Sequence, residues 1–172
     1  MIPKIKKILY TTDLSPNSAY AFRYAINSAE RHNSDIIILH ILELPPATSL
    51  ALLKDYFDEE RYERIMKNNT AETRDQIKNR LKAFCEKELK DDLEVINRVI
   101  SIQVSLGYPA DMILQKAEEL DCDAIVMGSH GKGIIRHTFL GSTTSKVLRR
   151  SRKPVFIIPL PKGELDITLY DN

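Results

Sequence analysis

Four of the chain's six glycines lie close together, in the stretch VMGSHGKGIIRHTFLGSTTSKVLRRSRKPVFIIP at residues 126–159. They occupy positions 128, 131, 133 and 141, after an apolar run and around the start of a helix-like run. Glycine accepts positive φ angles and lets another backbone or a phosphate approach closely. A loop of such residues can turn several N–H groups inward and form an anion-binding concavity. The spacing therefore predicts a phosphate-binding loop.

The residues around Gly141 strengthen this interpretation. Ser142, Thr143 and Thr144 add hydroxyls where a helix should begin. A helix N-terminus also contributes free N–H groups and the positive end of its dipole, and Lys132 adds charge for a di- or triphosphate. The alternative is that glycines mark turns and Ser142 caps a helix. The stretch lacks both the Walker A spacing and the dinucleotide G-x-G-x-x-G spacing.

Strand-like and helix-like segments alternate along the chain. Ser15 is a suitable N-cap for the first helix and Pro16 a suitable first helical residue. The alternation predicts an α/β fold with a five-stranded parallel sheet and helices on both faces. For this Rossmann-like arrangement we expect the strand order 3-2-1-4-5. With the first strand beside the fourth, TTDLS and MGSHGKG meet at the switch point where such sheets bind ligands. The predicted strands are IKKILYTT, SDIIILHILEL, EVINRVISIQVSLG, CDAIVMG and KPVFIIP.

The length and composition favour one compact domain. The chain has 172 residues, of which 43% are hydrophobic, and residues 1–160 are predicted to form a single nucleotide-binding domain. Residues 45–92 are predicted to be mostly helical, as two helices or one broken helix, with Asn69 or Thr70 capping a restart, and residues 45–70 of this stretch are predicted to be a helical insertion. Residues 161–172 are predicted to form a C-terminal tail.

Charge and cysteine content narrow the classes of function. The net charge of +1 gives no global field that would recruit nucleic acid or an anionic membrane. No apolar run has the length of a bilayer span or resembles a signal-peptide core, so we expect a cytoplasmic protein. Cys85 and Cys122 form no CxxC pair and the four histidines are scattered, which predicts buried thiols and no metal site.

Other reactive side chains have simpler explanations, so no catalytic residue is predicted. His130 lies inside the glycine loop, where its backbone matters more than its ring, and His137 is expected to be solvated. Asp13 stands alone at a strand end, as a hydroxyl acceptor or a cap. The aromatic residues Tyr56, Phe57 and Tyr62 fit a partner surface and a helix face on the sheet equally well. The basic cluster fits a helix C-terminus better than a nucleic-acid site, and it comprises Arg149, Arg150, Arg152 and Lys153.

The glycine spacing resembles the G-2x-G-9x-G-[S/T] motif of the universal stress protein family. The motif is complete here, as GSHG, nine further residues, and GS. The resemblance extends over nearly the whole chain, through ILYTTDLSPNS, IIILHIL, GYPADMI, CDAIVMGSHG and SKVLRRSRKPVFIIP in order. Members without the motif often bind no nucleotide, so this chain is similar to the ATP-binding branch. The resemblance assigns no role to residues 45–70 or to the tail.

The resemblance also implies which residues bind the nucleotide. Asp13, at the end of the first strand, would contact the adenosine part, and Ile41 would meet adenine through its backbone. Thr12, next to Asp13, is also expected to be a nucleotide-binding residue. The phosphates would lie against the glycine-rich segments, which comprise Met127, Gly128, Ser129, His130, Gly131, Lys132, Gly133, Gly141, Ser142, Thr143 and Thr144. ATP or ADP is the expected ligand, with Mg²⁺ as an open question.

Three functions remain in competition. The first is a regulatory module in a stress response that holds ATP or ADP and changes shape or protein partner, and we favour it. The second is an enzyme, an ATP hydrolase or a nucleotidyl transferase. The lack of a general base and of a paired magnesium carboxylate disfavours efficient hydrolysis and leaves slow hydrolysis open. The third is a partner-binding module without nucleotide, which the intact glycine motif disfavours.

The last predicted strand also suggests a partner. Residues 155–158 are four consecutive apolar residues in a strand expected at the sheet edge. Unpaired apolar edges promote association unless they are covered. We expect a homodimer in which strand Val155–Ile158 pairs with its twofold copy, as the family resemblance also implies. The alternative is that the tail covers this edge.

Overall fold

The computed structural model describes residues 2–44, 58–90, 93–131 and 140–159. Five parallel strands form one sheet in the order β3-β2-β1-β4-β5, which confirms the predicted fold class. The strands are β1 (Lys7–Thr12), β2 (Asp35–Glu43), β3 (Val99–Gly107), β4 (Ala124–Gly128) and β5 (Val155–Ile158). The helices in the described ranges are α1 (Pro16–His32), α2 (Glu59–Glu88), α3 (Leu93–Ile96), α4 (Pro109–Glu119) and α5 (Ser142–Arg150).

Apolar side chains cover both faces of the sheet. On one face Tyr10 and Phe22 pack with their ring centroids 5.2 Å apart, and Phe22 packs on Phe84 of α2 at the same distance. On the other face Leu9 and Val147 belong to a second buried cluster, formed with α4 and α5. Because successive strand residues point to opposite faces, central strands covered on both sides read as continuous apolar runs.

The start of α1 follows the sequence prediction. The Ser15 side chain accepts a hydrogen bond from the Ser18 N–H at 3.3 Å, and Pro16 is the first helical residue. Proline is suited to this position, since its missing N–H would have no intrahelical acceptor there. The helix ends at Asn33, which takes a left-handed conformation with a φ of 52°.

One sequence prediction about a helix needs correction. We expected a break near Asn69 or Thr70, but α2 runs unbroken from Glu59 to Glu88. Asn and Thr cost only a few tenths of a kcal/mol each in a helix interior, and the surrounding Lys, Glu, Ala and Arg residues favour the helix. Residues 45–57 of the predicted insertion and the tail at 161–172 lie outside the described residues.

The third strand also begins later than predicted. The segment from Glu94 was assigned to a strand, but residues 93–96 form the short helix α3 and β3 begins at Val99. Val95 of α3 is 4% exposed and belongs to the same buried cluster as Tyr10. A single buried apolar residue in a one-turn helix gives the same sequence pattern as the first buried residue of a strand.

The two outer strands of the sheet are β3 and β5. Phe156 of β5 is 40% exposed, so the apolar edge expected from the sequence is present in the fold. None of the helices in the described residues combines the length and apolar content that a membrane span requires.

The structure confirms that both cysteines are buried. Cys85 lies in α2 and Cys122 precedes β4, and they are free thiols. Burial raises the pKa of the Cys85 thiol to about 12 and that of the Cys122 thiol to about 11. Because the thiolate is the nucleophilic form, both groups should be inert near neutral pH.

We therefore predict that the native protein resists thiol labelling. At pH 8 no more than about one in a thousand of either thiol is ionised, and neither sulfur is exposed to the reagent. Ellman's reagent should label the native protein very slowly, whereas the same protein in denaturant should release the two equivalents that its two cysteines supply. Rapid labelling of one equivalent in the native protein would contradict the burial of both thiols.

Candidate functional site

The turn between β1 and α1 carries the acidic group of the candidate site. After Thr12 the chain turns through Asp13 and Leu14, whose φ of 66° lies in the left-handed region. Asp13 Oδ1 accepts the Ser15 N–H at 3.0 Å and the Ser15 hydroxyl at 2.6 Å. Left-handed backbone at a leucine costs energy, and such strain persists only where neighbouring contacts maintain it.

Buried polar contacts around Thr12 maintain this turn. The Leu14 N–H donates to Thr12 Oγ1 at 3.0 Å, and Thr12 Oγ1 pairs with the Ser18 hydroxyl at 2.8 Å. From the neighbouring strand, His40 Nδ1 donates to the Thr12 carbonyl at 2.7 Å. A carbonyl only accepts, so Nδ1 carries the proton in this bond. These contacts fix the end of β1 and thereby the direction of the Asp13 side chain.

The glycine loop, which we define as residues 128–131, follows β4 at the same edge of the sheet. Three successive carbonyls of this loop accept hydrogen bonds from other elements. The Gly128 carbonyl accepts from Thr144 Oγ1 at 3.0 Å, and the Ser129 carbonyl accepts from the Gly141 N–H at 2.8 Å. The His130 carbonyl accepts from Asn17 Nδ2 at 2.9 Å. The loop is therefore held from α1, from α5 and from the residue that precedes α5.

Two glycines of the loop permit close contacts within the protein. A Cβ at Gly128 would lie 2.8 Å from Asn17 Nδ2, and a Cβ at Gly131 would lie 2.5 Å from Asp13 Oδ2. Real Cβ atoms do not make contacts below about 3 Å, because van der Waals repulsion rises steeply there. The glycines were expected to make room for a phosphate, but at these two positions a side chain would first meet the protein itself.

The N-terminus of α5 lies against the same loop. Gly141 is its N-cap, and no side chain of the cap bonds the first turn. A Cβ at Gly141 would lie 3.4 Å from His130 Cα and 3.7 Å from the Gly131 nitrogen. Of the predicted hydroxyls, Ser142 is exposed and Thr143 half-buried, whereas Thr144 is 4% exposed and bound to Gly128. A helix N-terminus with uncapped N–H groups attracts anions.

The remaining predicted site residues lie at different depths. Met127 is 5% exposed and its side chain belongs to the core, so it can face a ligand only through its backbone. Ser129 is also buried, and its hydroxyl lies 3.0 Å from His130 Nδ1. Ile41 is half-buried, next to His40 near the end of β2. Lys132 and Gly133 lie outside the described residues.

Two residues at the site escaped the sequence analysis. Asn17 follows Ser-Pro at the helix start and carries no pattern that distinguishes it from an ordinary first-turn residue. His40 did leave a signal, since it is the one polar residue within IIILHIL. A polar side chain in a strand covered on both faces must find a hydrogen-bond partner, and His40 finds it at the end of β1.

The arrangement suits an anionic ligand with a hydroxyl-bearing part. The glycine loop lies beside the N-terminus of α5, while the Asp13 carboxylate at its other side can accept hydrogen bonds from hydroxyls. Within the described ranges, no cluster of three His, Cys, Asp or Glu side chains could hold a metal ion. The chemistry that these groups support is binding of a phosphorylated, hydroxylated small molecule.

Known proteins are similar to this chain in sequence and in fold. Universal stress protein MJ0577 of Methanocaldococcus jannaschii is 29% identical over 160 residues, which cover 89% of this chain and 94% of that protein. A solved structure of MJ0577 has a TM-score of 0.71 at 28% identity and covers 94% of this chain and 100% of its own.

Two further solved structures share the fold at lower identity. A universal stress protein in complex with cAMP has a TM-score of 0.55 at 22% identity, covering 92% of this chain and 100% of its own. A universal stress protein family protein from Arabidopsis thaliana with AMP bound has a TM-score of 0.55 at 15% identity, covering 91% of this chain and 93% of its own. The sequence model of the universal stress protein family matches residues 4–159. With its parallel sheet, its glycine loop beside α5 and this match over most of its length, the chain belongs to the universal stress protein family.

Proposed function

We propose that this protein is a regulatory module of a stress response that binds ATP or ADP at the glycine loop. The observation that carries the proposal is the way the loop is held. Three successive carbonyls, from Gly128 to His130, are bound by groups of the protein, so the loop has a defined shape before any ligand arrives. A preformed loop binds phosphate without the entropic cost of ordering its backbone.

The phosphate groups are assigned to the loop and to the start of α5. The Gly131 N–H and the N–H groups of Ser142 and Thr143 would donate to phosphate oxygens, with the helix dipole adding favourable potential. Lys132 and Gly133 belong to the same proposed phosphate segment by their place in the motif. Thr144 acts differently in this proposal, because its hydroxyl already bonds Gly128 and so supports the loop.

The adenosine part is assigned to the ends of β1 and β2. Asp13 would accept hydrogen bonds from ribose hydroxyls, since its carboxylate lies just after β1 and beside Gly131. Thr12 would support that contact, and Ile41 would meet adenine through its backbone. The solved structures with cAMP and AMP bound support an adenine nucleotide as the ligand class on this fold.

The position of Asp13 bears on whether the nucleotide binds together with Mg²⁺. Its carboxylate lies beside the loop that is proposed to hold phosphates, and like charges repel more strongly where water is scarce. A ribose hydroxyl bound to Asp13 would reduce the conflict by separating the carboxylate from the phosphates, whereas Mg²⁺, if held there by Asp13, would reduce it by supplying positive charge. Nucleotide affinity measured with and without Mg²⁺ distinguishes these arrangements.

We also propose that the protein forms a homodimer through β5. Phe156 is 40% exposed and Leu148, on the adjacent helix α5, is 47% exposed, so the edge presents apolar surface. Antiparallel pairing of two β5 strands would satisfy both edges by twofold symmetry and bury these side chains.

The phosphate assignment predicts a strong effect of Gly131→Val. The new side chain would displace Asp13 and crowd the loop, so ATP affinity should fall about a hundredfold, or roughly 2–3 kcal/mol. Calorimetric titration with ATP measures this effect. Gly163→Val, a glycine substitution outside the motif, serves as the control and should leave the affinity unchanged. Equal ATP affinity in the parent, Gly131→Val and Gly163→Val would contradict the assignment of the phosphates to the glycine loop.

A regulatory module should turn over ATP slowly. Asp13 is a poor candidate for a general base because one of its oxygens already accepts two hydrogen bonds from Ser15. Phosphate release by the pure protein should be far below about 10 per second, the value of a median enzyme. If the parent hydrolyses ATP at a rate near that value and Asp13→Asn abolishes the hydrolysis, the protein is instead an ATP hydrolase.

The dimer proposal predicts that Phe156→Lys separates the subunits. A charge in the middle of the pairing edge would have to be buried without a partner, which is costly. Light scattering should find the parent dimeric at micromolar concentration and the variant monomeric. Tyr24→Lys is the control, because Tyr24 is a similarly exposed aromatic residue, at 47%, on α1. A monomeric parent would contradict the dimer.

A further inference from the structure

Asn17, in the first turn of α1, is a buried polar residue that lies outside the glycine motif. It is 2% exposed, and its Nδ2 donates to the His130 carbonyl at 2.9 Å. This bond also fixes the orientation of the carboxamide, because only its NH₂ end can donate to a carbonyl. The contact joins α1 to the glycine loop across 113 residues of sequence.

The bond determines which way the His130–Gly131 peptide faces. In a trans peptide the C=O and the following N–H point in opposite directions, and the described residues contain no cis peptide. Holding the His130 carbonyl against α1 therefore directs the Gly131 N–H away from α1. The Gly131 nitrogen lies 3.7 Å from the Cβ position of Gly141, so this peptide stands between α1 and the start of α5.

The other end of the side chain argues against a purely structural role. Asn17 Oδ1 is buried and has no hydrogen-bond partner among the described residues. A buried carboxamide that makes one hydrogen bond within the protein stabilises the fold less than one that is fully bonded. The asparagine is therefore better explained by what its NH₂ group does for the loop than by packing.

Asn17 also accounts for the absence of a side chain at position 128. A Cβ at Gly128 would lie 2.8 Å from Asn17 Nδ2 and 3.2 Å from its Cγ. The carboxamide thus occupies the space next to Gly128 while it bonds the carbonyl of His130, two residues further along. One side chain spans the loop from its first residue to its third.

We propose that Asn17 is the positioning residue of the glycine loop, which turns the Gly131 N–H towards the phosphates of the bound nucleotide. This inference rests on the proposed function, since the phosphates are those of the proposed ATP or ADP. Asn17 itself need not touch the ligand. It acts through the His130 carbonyl, and its removal frees the peptide to rotate.

The experiment compares Asn17→Ala with Asn27→Ala. Asn27 lies on the same helix but is exposed, where its Oδ1 accepts from Arg31 Nε at 3.1 Å, so Asn27→Ala makes the same chemical change away from the loop. Affinities for ATP and for adenosine are measured on each protein by calorimetry. Asn17→Ala should lower the affinity for ATP about tenfold, the usual effect of losing one well-oriented hydrogen bond to a charged group, here the bond from the Gly131 N–H to a phosphate. The affinity for adenosine should be unchanged. Asn27→Ala should change neither.

A merely structural role predicts a different result. If Asn17 only stabilised the fold near the site, the affinities for ATP and for adenosine would fall by the same factor. That result would overturn the proposal. Unchanged ATP affinity in Asn17→Ala would overturn it as well.

A measurement without ligand separates this inference from the proposed function. The amides of Ser129 and Gly141 are protected by bonds to Ile158 and Ser129. In the nucleotide-free protein their hydrogen exchange should accelerate in Asn17→Ala and not in Asn27→Ala. If the parent binds no nucleotide but exchange still accelerates in Asn17→Ala, the nucleotide site is refuted and the positioning of the loop by Asn17 is retained. Unchanged exchange would refute the positioning.

Discussion

The close approach of the glycine loop to the first turn of α1 is the contact on which the site depends. Position 128 has no Cβ because Asn17 occupies that space, and position 131 has none because Asp13 does. The loop can then offer three successive carbonyls to α1, α5 and Gly141. Each bond occupies a backbone acceptor of the loop, and the Ser129 N–H is bound as well, to the Ile158 carbonyl. The loop is consequently shaped by the protein before it meets an anion.

The sheet supplies the framework for this contact. Parallel strands bring the ends of β1, β2 and β4 to one edge, and α1 and α5 begin there on opposite faces. A strained turn at Leu14 is retained because Thr12, Ser18 and His40 bond the residues around it. Strain that the surrounding structure maintains is typical of binding sites, since it orients groups that an unstrained chain would leave variable.

The sequence predicted the five strands and the cap of α1 because both depend on local patterns. Apolar runs such as IIILHIL indicate strands buried on both faces, and Ser-Pro indicates a helix start. It did not predict the continuity of α2 or the helix before β3, because single weak helix formers and isolated apolar residues are decided by tertiary packing. Asn17 could not be found at all, since its role depends on a carbonyl 113 residues away. Local patterns carry no information about such a partner.

The central claim is that the glycine loop and the start of α5 hold the phosphates of an adenine nucleotide. Amide nuclear magnetic resonance spectra recorded during titration with ATP, and separately with adenosine, test it most directly. The account predicts that ATP shifts the amides of residues 128–131 and 141–144, and that adenosine shifts Asp13 and Ile41 while leaving those loop amides nearly unchanged. ATP shifts confined to other parts of the chain, or no shifts at saturating ATP, would contradict the account.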